Sequence, residues 1–382
     1  MKLLFIIDNL NTGGAQRQIV TLAAALRKRG HDATVFCYAA GDVLAAPLAE
    51  AGVEVVTNRK RGRYSLSPVV AIGRLIARRR LEGVVAFLRT PNIYAIVGAR
   101  LSRRNPTVIV SERFFDPPQG IGRLTAAGRR LYRFADHVVL NSHHQRKHFE
   151  RLYPHLLGRL STIYNGVDLA VFRPREVDSP TSPLNLLAIG TVAPHKNGIT
   201  LVRALAFARK AYSLDVRVTW VGAHLPAHEA CSDLMKREIA DLQLDDAWTW
   251  LPPSDRIPEL IPNFHGLVHP SYGEGVPNVV CEAMACARPV LVSDALDHPH
   301  LVAHGAAGLL FDPHDAERLA ECIKKFAAMS PHEQRSLGAR ARTRAELLFS
   351  VDRLAQEYES LLLNDRRVAL LRLHGDQIAC AE

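Results

Sequence analysis

Apolar and polar positions alternate along the chain in blocks that predict short buried strands separated by longer helices. The strands are short runs of aliphatic and β-branched residues, and the segments between them carry apolar residues at helical spacing. This alternation is typical of a parallel sheet covered on both faces, and it predicts an α/β fold. In the first half the predicted strands are residues 2–7, 33–37, 53–56, 83–87, 107–110, 137–140 and 161–163.

The alternation stops once and then restarts. Residues 172–183 contain three prolines among polar residues and no apolar period, as expected of a linker. A length of 382 residues also exceeds what one hydrophobic core usually supports, so we predict Rossmann-like domains at 1–172 and 173–350. Further strands are predicted at 184–189, 215–221, 248–251, 266–269 and 289–292.

The C-terminal segment, residues 351–382, carries a third pattern. Leu354, Tyr358, Leu361 and Leu362 recur along one helical stripe, which predicts a packing helix followed by a tail. No run approaches the roughly 18 apolar residues that span a bilayer. The opening apolar run ends at Asp8 without a small-residue cleavage site, so we interpret it as a buried strand and not as a signal sequence.

Composition narrows the class of protein. The chain is 48% hydrophobic and 23% charged, close to the average of globular proteins, which excludes large-scale disorder. The six cysteines form no CxxC pair with a matching partner, so neither a zinc site nor a disulfide framework is predicted. We expect a reducing, cytoplasmic location, with the protein in solution or on a membrane surface.

Charge is distributed unevenly. Residues 1–172 hold 26 Lys and Arg against 11 Asp and Glu, whereas the remainder holds 22 against 27. The first half therefore has a net charge of +15 and the second −5. This asymmetry indicates that the first half contacts an anionic partner.

Two strand ends carry residues suited to binding an anion. Gly13 and Gly14 follow the first strand and precede a helix, where free amides favour a phosphate, although a plain tight turn would have the same sequence. In the second domain, the first strand is followed by Gly190 and then by Lys196. There it could offset phosphate charge, or it could be an exposed lysine at a helix start.

Residues 269–285 are the most informative stretch. A predicted strand ends in a Gly-rich loop containing Glu274, and Pro277 and Asn278 then start an apolar helix that carries Glu282. A helix start offers amides to a diphosphate, and a carboxylate on either side can accept hydrogen bonds from sugar hydroxyls. A surface position for Glu282 is the alternative, but its helix is nearly all apolar.

The chain resembles the family 4 glycosyltransferases of the GT-B fold over nearly its whole length, including members that build bacterial cell-surface polysaccharides. The resemblance rests on Gly13-Gly14-Ala15-Gln16, Tyr164-Asn165-Gly166-Val167-Asp168, Lys196, and Glu274 with Glu282 after seven intervening residues. It implies two facing Rossmann-like domains with parallel sheets and a C-terminal helix that crosses back to the first domain. It also implies a retaining transfer from a nucleotide sugar to a hydroxyl of a glycan or lipid-linked acceptor.

By this resemblance Glu274 contacts the transferred sugar, Glu282 the ribose, and Lys196 the diphosphate, with Glu274 and Lys196 as the catalytic pair. No metal and no cofactor are expected; UDP-sugars are the favoured donors, GDP-sugars the second choice, and nucleic acid is not an expected partner. The donor-binding residues implied are Gly13, Gly14, Gly190, Lys196, Gly275, Val276, Asn278, Val279 and Glu282.

Three departures from the family pattern keep alternatives open. Thr191 replaces a usual arginine, and the family's Gly-Gly-x-x-Glu becomes Leu296-Asp297-His298-Pro299-His300. Arg113 stands where many members have a pocket histidine, and it could approach a phosphate or pair with Glu112. The alternatives are a sugar-nucleotide epimerase or phosphorylase of the same fold, and a catalytically silent sugar-nucleotide-binding protein.

The basic first domain predicts docking on an anionic membrane at the inner face of the cell membrane, where a lipid-linked acceptor would be presented. Residues 119–135 are predicted to form a helix with an apolar face and an opposite basic face, and Arg74 and residues 78–80 add a second basic group. A solvated basic surface is the alternative. The basic face consists of Arg123, Arg129, Arg130 and Arg133.

Overall fold

The computed structural model describes residues 1–60, 62, 65–113, 122–175 and 183–363, except for the side chains of Arg123 and Leu124. The chain forms two compact units. Unit 1 comprises Met1–Gly166 together with the chain from Val351, and unit 2 comprises Val167–Ser350. The division falls before the predicted linker at 172–183, of which residues 176–182 lie outside the described part.

Unit 1 contains a seven-stranded parallel sheet in the order β3-β2-β1-β4-β5-β6-β7. Each predicted strand of this half is present, within two residues at its ends. The strands are β1 (Lys2–Ile7), β2 (Asp32–Cys37), β3 (Glu54–Thr57), β4 (Gly83–Phe87), β5 (Thr107–Glu112), β6 (His137–Leu140) and β7 (Leu160–Thr162).

Helices cover both faces of this sheet. The helices described are α1 (Gly14–Lys28), α2 (Ala45–Glu50), α3 (Ser67–Arg79), α4 (Arg89–Leu101), α5 (Arg123–Arg129), α6 (His143–Leu152) and α14 (Val351–Leu362), with 3-10 turns at Arg130–Phe134 and Pro154–Arg159. The predicted C-terminal helix is α14, which packs on α1. Its stripe of Leu354, Tyr358, Leu361 and Leu362 is buried in the core of unit 1.

Unit 2 contains a six-stranded parallel sheet in the order β10-β9-β8-β11-β12-β13. The last strand was not predicted, because it is only three residues long and lies between Gly308 and Asp312. The strands are β8 (Leu184–Ile189), β9 (Val216–Val221), β10 (Trp248–Leu251), β11 (Gly266–His269), β12 (Val290–Ser293) and β13 (Leu309–Phe311).

The helices of unit 2 follow the same alternation. They are α7 (Gly198–Tyr212), α8 (Glu229–Asp241), α9 (Ile257–Leu260), α10 (Asn278–Ala285), α11 (His298–Leu301), α12 (Ala316–Ala327) and α13 (Pro331–Phe349), with 3-10 turns at Pro194–Lys196, Pro226–His228, Ile261–Asn263 and Ala303–Gly305. None of the helices in the described ranges is long and apolar enough to cross a membrane.

Strand order reverses once in each sheet, between β1 and β4 in unit 1 and between β8 and β11 in unit 2. In open α/β sheets this reversal opens a crevice beyond the carboxyl ends of the two strands, and ligands bind there. Gly13 and Gly14 follow β1, Lys196 follows β8, and Glu274 follows β11. The topology thus places the predicted site residues at the switch points of the two sheets.

The predicted position of Arg129 on an exposed basic face is wrong. Arg129 is 1% exposed, and its guanidinium donates to both carboxylate oxygens of the buried Glu112, at 3.2 Å each. The Tyr132 hydroxyl donates to the same carboxylate at 2.6 Å. Residues 130–134 wind as a 3-10 turn, which shifts the phase of the predicted helix, and a buried carboxylate on β5 requires a cation. Residues 119–121 lie outside the described ranges.

Candidate active site

The chain after β8 is held by glycine geometry and an asparagine. Gly190 has a φ of +152°, a conformation that favours glycine, and a Cβ there would lie 3.2 Å from Cε of Lys196. After the 3-10 turn, Asn197 donates its side-chain amide to the carbonyl oxygens of Pro270 at 3.1 Å and Pro313 at 2.6 Å. Lys196 is thereby fixed on a rigid segment. The aliphatic part of its side chain lies against Gly190.

The loop after β11 is tied to this segment. The Ser271 hydroxyl and the Tyr272 amide both donate to the carbonyl oxygen of His195, each at 3.0 Å. A Cβ on Gly273 would lie 3.0 Å from Cβ of His195, so the two loops approach closely at that glycine. Because hydrogen bonds join the two loops, Lys196 and Glu274 lie close together in unit 2.

An ion pair joins Lys196 and Glu274. The ammonium Nζ lies 2.7 Å from Oε1 of Glu274, and Nε2 of His269 lies 2.8 Å from the same oxygen. The Lys196 and Glu274 side chains are each 16% exposed. Burial by itself raises the pKa of the Glu274 carboxyl, but Lys196 and His269 outweigh it and hold the pKa well below its usual range. Glu274 is therefore ionised at neutral pH.

Glu282 lies on α10 and is 4% exposed, so the surface alternative is wrong. Burial first, and then the charge of Glu282, raise the pKa of the Cys286 thiol to about 12. The Cys286 thiol is a small buried side chain, as expected. Around the helix start, Gly275 and Val276 are buried, whereas Asn278 and Val279 are half-buried.

Gly13 and Gly14 lie in unit 1, at the start of α1. Gly13 is the N-cap residue, with an extended φ of −169°, and Gly14 is the first helical residue. A Cβ on Gly13 would lie 2.2 Å from Oε1 of Gln16, whose amide donates to Asp8 at 3.0 Å. The Gly-Gly turn therefore lets this polar side chain cross the helix start closely.

Behind Glu274 lies a buried polar group that sequence reasoning missed. His269 is 2% exposed, and its ring centroid lies 5.5 Å from that of the fully buried His298, at an interplanar angle of 79°. Nδ1 of His298 lies 2.8 Å from Oγ of Ser293. Burial lowers the pKa of His298 to about 3, so this imidazole is neutral. The only sequence signal for this buried group was His298, which lies in the segment that departs from the family pattern.

Two departures from the family pattern have structural outcomes. Leu296 has a φ of +57°, a left-handed conformation that favours glycine, the residue that the family pattern has there. Arg113 donates to Asn165 Oδ1 at 2.5 Å and to the Tyr358 hydroxyl at 2.7 Å, and its guanidinium stacks 4.0 Å from the ring centroid of Phe87. Of the two alternatives for Arg113, pairing with Glu112 is excluded, because Arg129 pairs with that carboxylate.

Both halves of the chain match family models of sugar-transferring enzymes. Residues 12–171 match the model described as Glycosyltransferase Family 4, and residues 183–328 match Glycosyl transferases group 1. The chain belongs to the family 4 glycosyltransferases. The first match falls mainly in unit 1 and the second lies within unit 2.

Curated relatives share part of the chain. The D-inositol 3-phosphate glycosyltransferase of Mycobacterium marinum is 27% identical over 243 residues, which cover 61% of this chain and 50% of the relative. The protein of the same name from Pseudarthrobacter chlorophenolicus is 31% identical over 192 residues, which cover 47% of this chain and 44% of the relative. The chain thus spans about half the length of the curated relatives it matches.

Solved structures show the fold. Anabaena HepE in complex with UDP has a TM-score of 0.82 at 22% identity, covering 95% of this chain and all of that one. A glycosyltransferase from Rickettsia africae has a TM-score of 0.81 at 17% identity, and the match covers 95% of this chain and 99% of that one. These similarities show that the chain has the GT-B fold.

Proposed function

We propose that the protein transfers a sugar from a nucleoside-diphosphate sugar to a hydroxyl of a glycan or lipid-linked acceptor, with retention of configuration at the anomeric carbon. The observation that carries the proposal is the Lys196–Glu274 pair at the switch point of unit 2. HepE structures hold UDP and UDP-glucose, which favours a UDP-sugar donor over a GDP-sugar.

In this proposal the negative charge that develops on the leaving diphosphate is stabilised by Lys196. Amides at the start of α10 near Asn278, in the same unit, are suited to the same anion. Such fixed charges and dipoles often supply the largest share of a rate enhancement. Glu274 accepts hydrogen bonds from sugar hydroxyls and Glu282 from the ribose, while the acceptor hydroxyl attacks on the face that the diphosphate leaves.

The test starts with UDP-, GDP- and ADP-sugars in a thermal-shift screen, because a bound donor stabilises the native state by mass action. Transfer is then followed by nucleoside-diphosphate release, and proton NMR of the product gives the anomeric configuration. Glu274→Ala should abolish transfer, whereas Glu259→Ala, an exposed carboxylate of the same unit, should not. Inversion of the anomeric centre would refute the retaining mechanism.

The same assay separates the alternatives. An epimerase would convert the donor to its isomer without an acceptor, and a phosphorylase would require inorganic phosphate as the acceptor. A silent binding protein would show donor stabilisation and no product. Release of the nucleoside diphosphate that depends on a glycan or lipid-linked acceptor, and not on inorganic phosphate, is the outcome that favours transfer over all three.

We also propose an anionic membrane surface as a partner of unit 1, on the cytoplasmic side. Exposed Phe134 is bracketed by the guanidiniums of Arg100 and Arg133, whose centres lie 4.4 Å and 4.7 Å from its ring centroid, and neighbouring Leu101 is 57% exposed. An apolar ring among cations suits the interface of an anionic bilayer, where each cation contributes about 1 kcal/mol.

Liposome co-sedimentation at low and high salt tests the membrane proposal. Binding to anionic vesicles should weaken with salt and fall in the Arg100→Ala, Arg133→Ala double variant. The matched control is the Arg203→Ala, Arg209→Ala double variant in unit 2, which removes the same charge. Equal binding to neutral and anionic vesicles would refute the proposal.

A further inference from the structure

Both donors that reach Glu274 converge on one of its two carboxylate oxygens. Lys196 Nζ and His269 Nε2 lie 2.7 Å and 2.8 Å from Oε1. Oε2 has no hydrogen-bond partner among the described residues, and the side chain is 16% exposed. A carboxylate oxygen has lone pairs to accept further hydrogen bonds, so Oε2 is the oxygen available to a ligand.

The protonation of His269 follows from its partner. An ionised carboxylate only accepts hydrogen bonds, so His269 must donate from Nε2. His269 is the last residue of β11 and is 2% exposed, which fixes its ring on the sheet and not on a loop. The donor that orients Glu274 is therefore rigid.

The protonation of His298 can be derived in the same way. The Ser293 hydroxyl donates to the carbonyl oxygen of Ser271, so its oxygen accepts from Nδ1 of His298. The carbonyl oxygen of Ser293 is a second acceptor, 3.0 Å from the same Nδ1. His298 thus carries its proton on Nδ1 and is neutral, so it packs against His269 without adding a charge.

We propose that His269 is a positioning residue for Glu274: it keeps the carboxylate oriented, with Oε2 presented to the donor sugar, while Lys196 is engaged by the diphosphate. This inference rests on the proposed function. In the free protein Lys196 and His269 share Oε1. When the ammonium moves to phosphate oxygens, His269 is the remaining donor to Glu274 among the described residues.

Four titratable groups from three elements lie close enough to Glu274 to interact with its charge. Lys196 and His195 come from the 3-10 turn after β8, His269 comes from β11, and His298 comes from α11. His298 is neutral, and burial together with the charge of Lys196 lowers the pKa of His195. Lys196 and His269 therefore carry the stabilisation of the carboxylate, and removing His269 should raise the pKa of Glu274.

The test compares His269→Leu, which removes the donor but fills the buried space, with His269→Gln, whose amide can reach Oε1. The carboxyl carbon of Glu274 is titrated by carbon-13 NMR, with Glu274→Gln as the assignment standard. We expect His269→Leu to raise this pKa by about one unit, and by more when UDP is bound, because neither donor then contacts Oε1. In His269→Gln the pKa of Glu274 should stay close to its wild-type value, because the glutamine amide replaces the lost donor.

Kinetics provide the second readout. His269→Leu should lower kcat by about tenfold or more, the range expected for a lost hydrogen bond to a charged group, and leave KM for the donor within about threefold. His332→Leu, an exposed histidine of the same unit, is the matched control and should change neither. The acid limb of the rate profile should move to higher pH with the NMR value.

Two results would overturn the proposal: an unchanged Glu274 pKa in His269→Leu, or a loss confined to donor affinity with kcat intact. The NMR titration does not depend on turnover. If the wild type transfers no sugar, the proposed function fails, whereas the effect of His269 on the Glu274 pKa, with and without UDP, is still decided.

Discussion

Replacing Lys196 by Met and Glu274 by Gln, singly and together, measures how strongly the ion pair holds the two loops of unit 2. At 2.7 Å, two unit charges attract by about 6 kcal/mol at an effective dielectric constant of about 20. Taking two ions partly out of water costs several kcal/mol, and hydrogen bonds to charged groups have a net value of about 1.5–3 kcal/mol. We therefore expect a coupling energy of about 2 kcal/mol from the double-mutant cycle.

Urea unfolding followed by tryptophan fluorescence is the assay, because all three tryptophans, Trp220, Trp248 and Trp250, belong to unit 2. The signal therefore reports the stability of the unit that contains the pair. The matched control is the cycle on Arg203 and Glu238, a more exposed pair of the same unit, for which we expect less than about 1 kcal/mol. Equal coupling energies in the two cycles would refute the reasoning.

The pH dependence has a defined sign. The pKa of Glu274 is lower in the folded protein than the unfolded value of about 4.3, so its contribution is complete above that value and is lost as pH falls through the folded pKa. The stability difference between wild type and Glu274→Gln should therefore shrink below about pH 4. A difference that stays constant down to pH 3 would contradict the ion-pair account.

Four further predictions concern single features. Gly190→Ala should weaken UDP binding measured by calorimetry, because the added Cβ meets the Lys196 stem in a strained backbone; unchanged affinity would contradict this. Leu296→Val should destabilise unit 2 by about 1 kcal/mol or more and Leu296→Gly by less, as measured by urea unfolding, because β-branched residues tolerate positive φ poorly. Arg129→Leu should cost about 3 kcal/mol in calorimetry, since it removes the buried guanidinium paired with Glu112 and leaves Tyr132 and the more distant Arg89, at 3.7 Å, beside that carboxylate; a loss under about 1 kcal/mol would count against it. Transfer should persist in EDTA, and its loss with recovery in manganese would refute metal independence.

Strand positions were predictable because parallel strands buried on both faces are nearly continuous apolar runs, as in β1 and β4. The placement of Lys196 and Glu274 followed from the topological switch point. Their direct contact did not, because it depends on Asn197 and Ser271 tying two loops together, and hydrogen bonds of this kind have no sequence period.

The errors share a physical cause. Helical periodicity placed Arg129 on the exposed face, but the 3-10 turn that follows and the buried Glu112 decided its position. The role of His269 was missed because a histidine at a strand end has no pattern of its own. Its significance appears only when its partner Glu274 and its neighbour His298 are located in space.

The central claim is that Glu274 and Lys196 form a donor-sugar site. The most direct measurement is acceptor-dependent release of the nucleoside diphosphate, paired with calorimetric binding of UDP, in wild type, Glu274→Ala and Lys196→Ala. The account predicts that Glu274→Ala binds UDP but transfers no sugar, and that Lys196→Ala loses UDP affinity by about tenfold or more together with turnover. Turnover by Glu274→Ala comparable to that of wild type would contradict it.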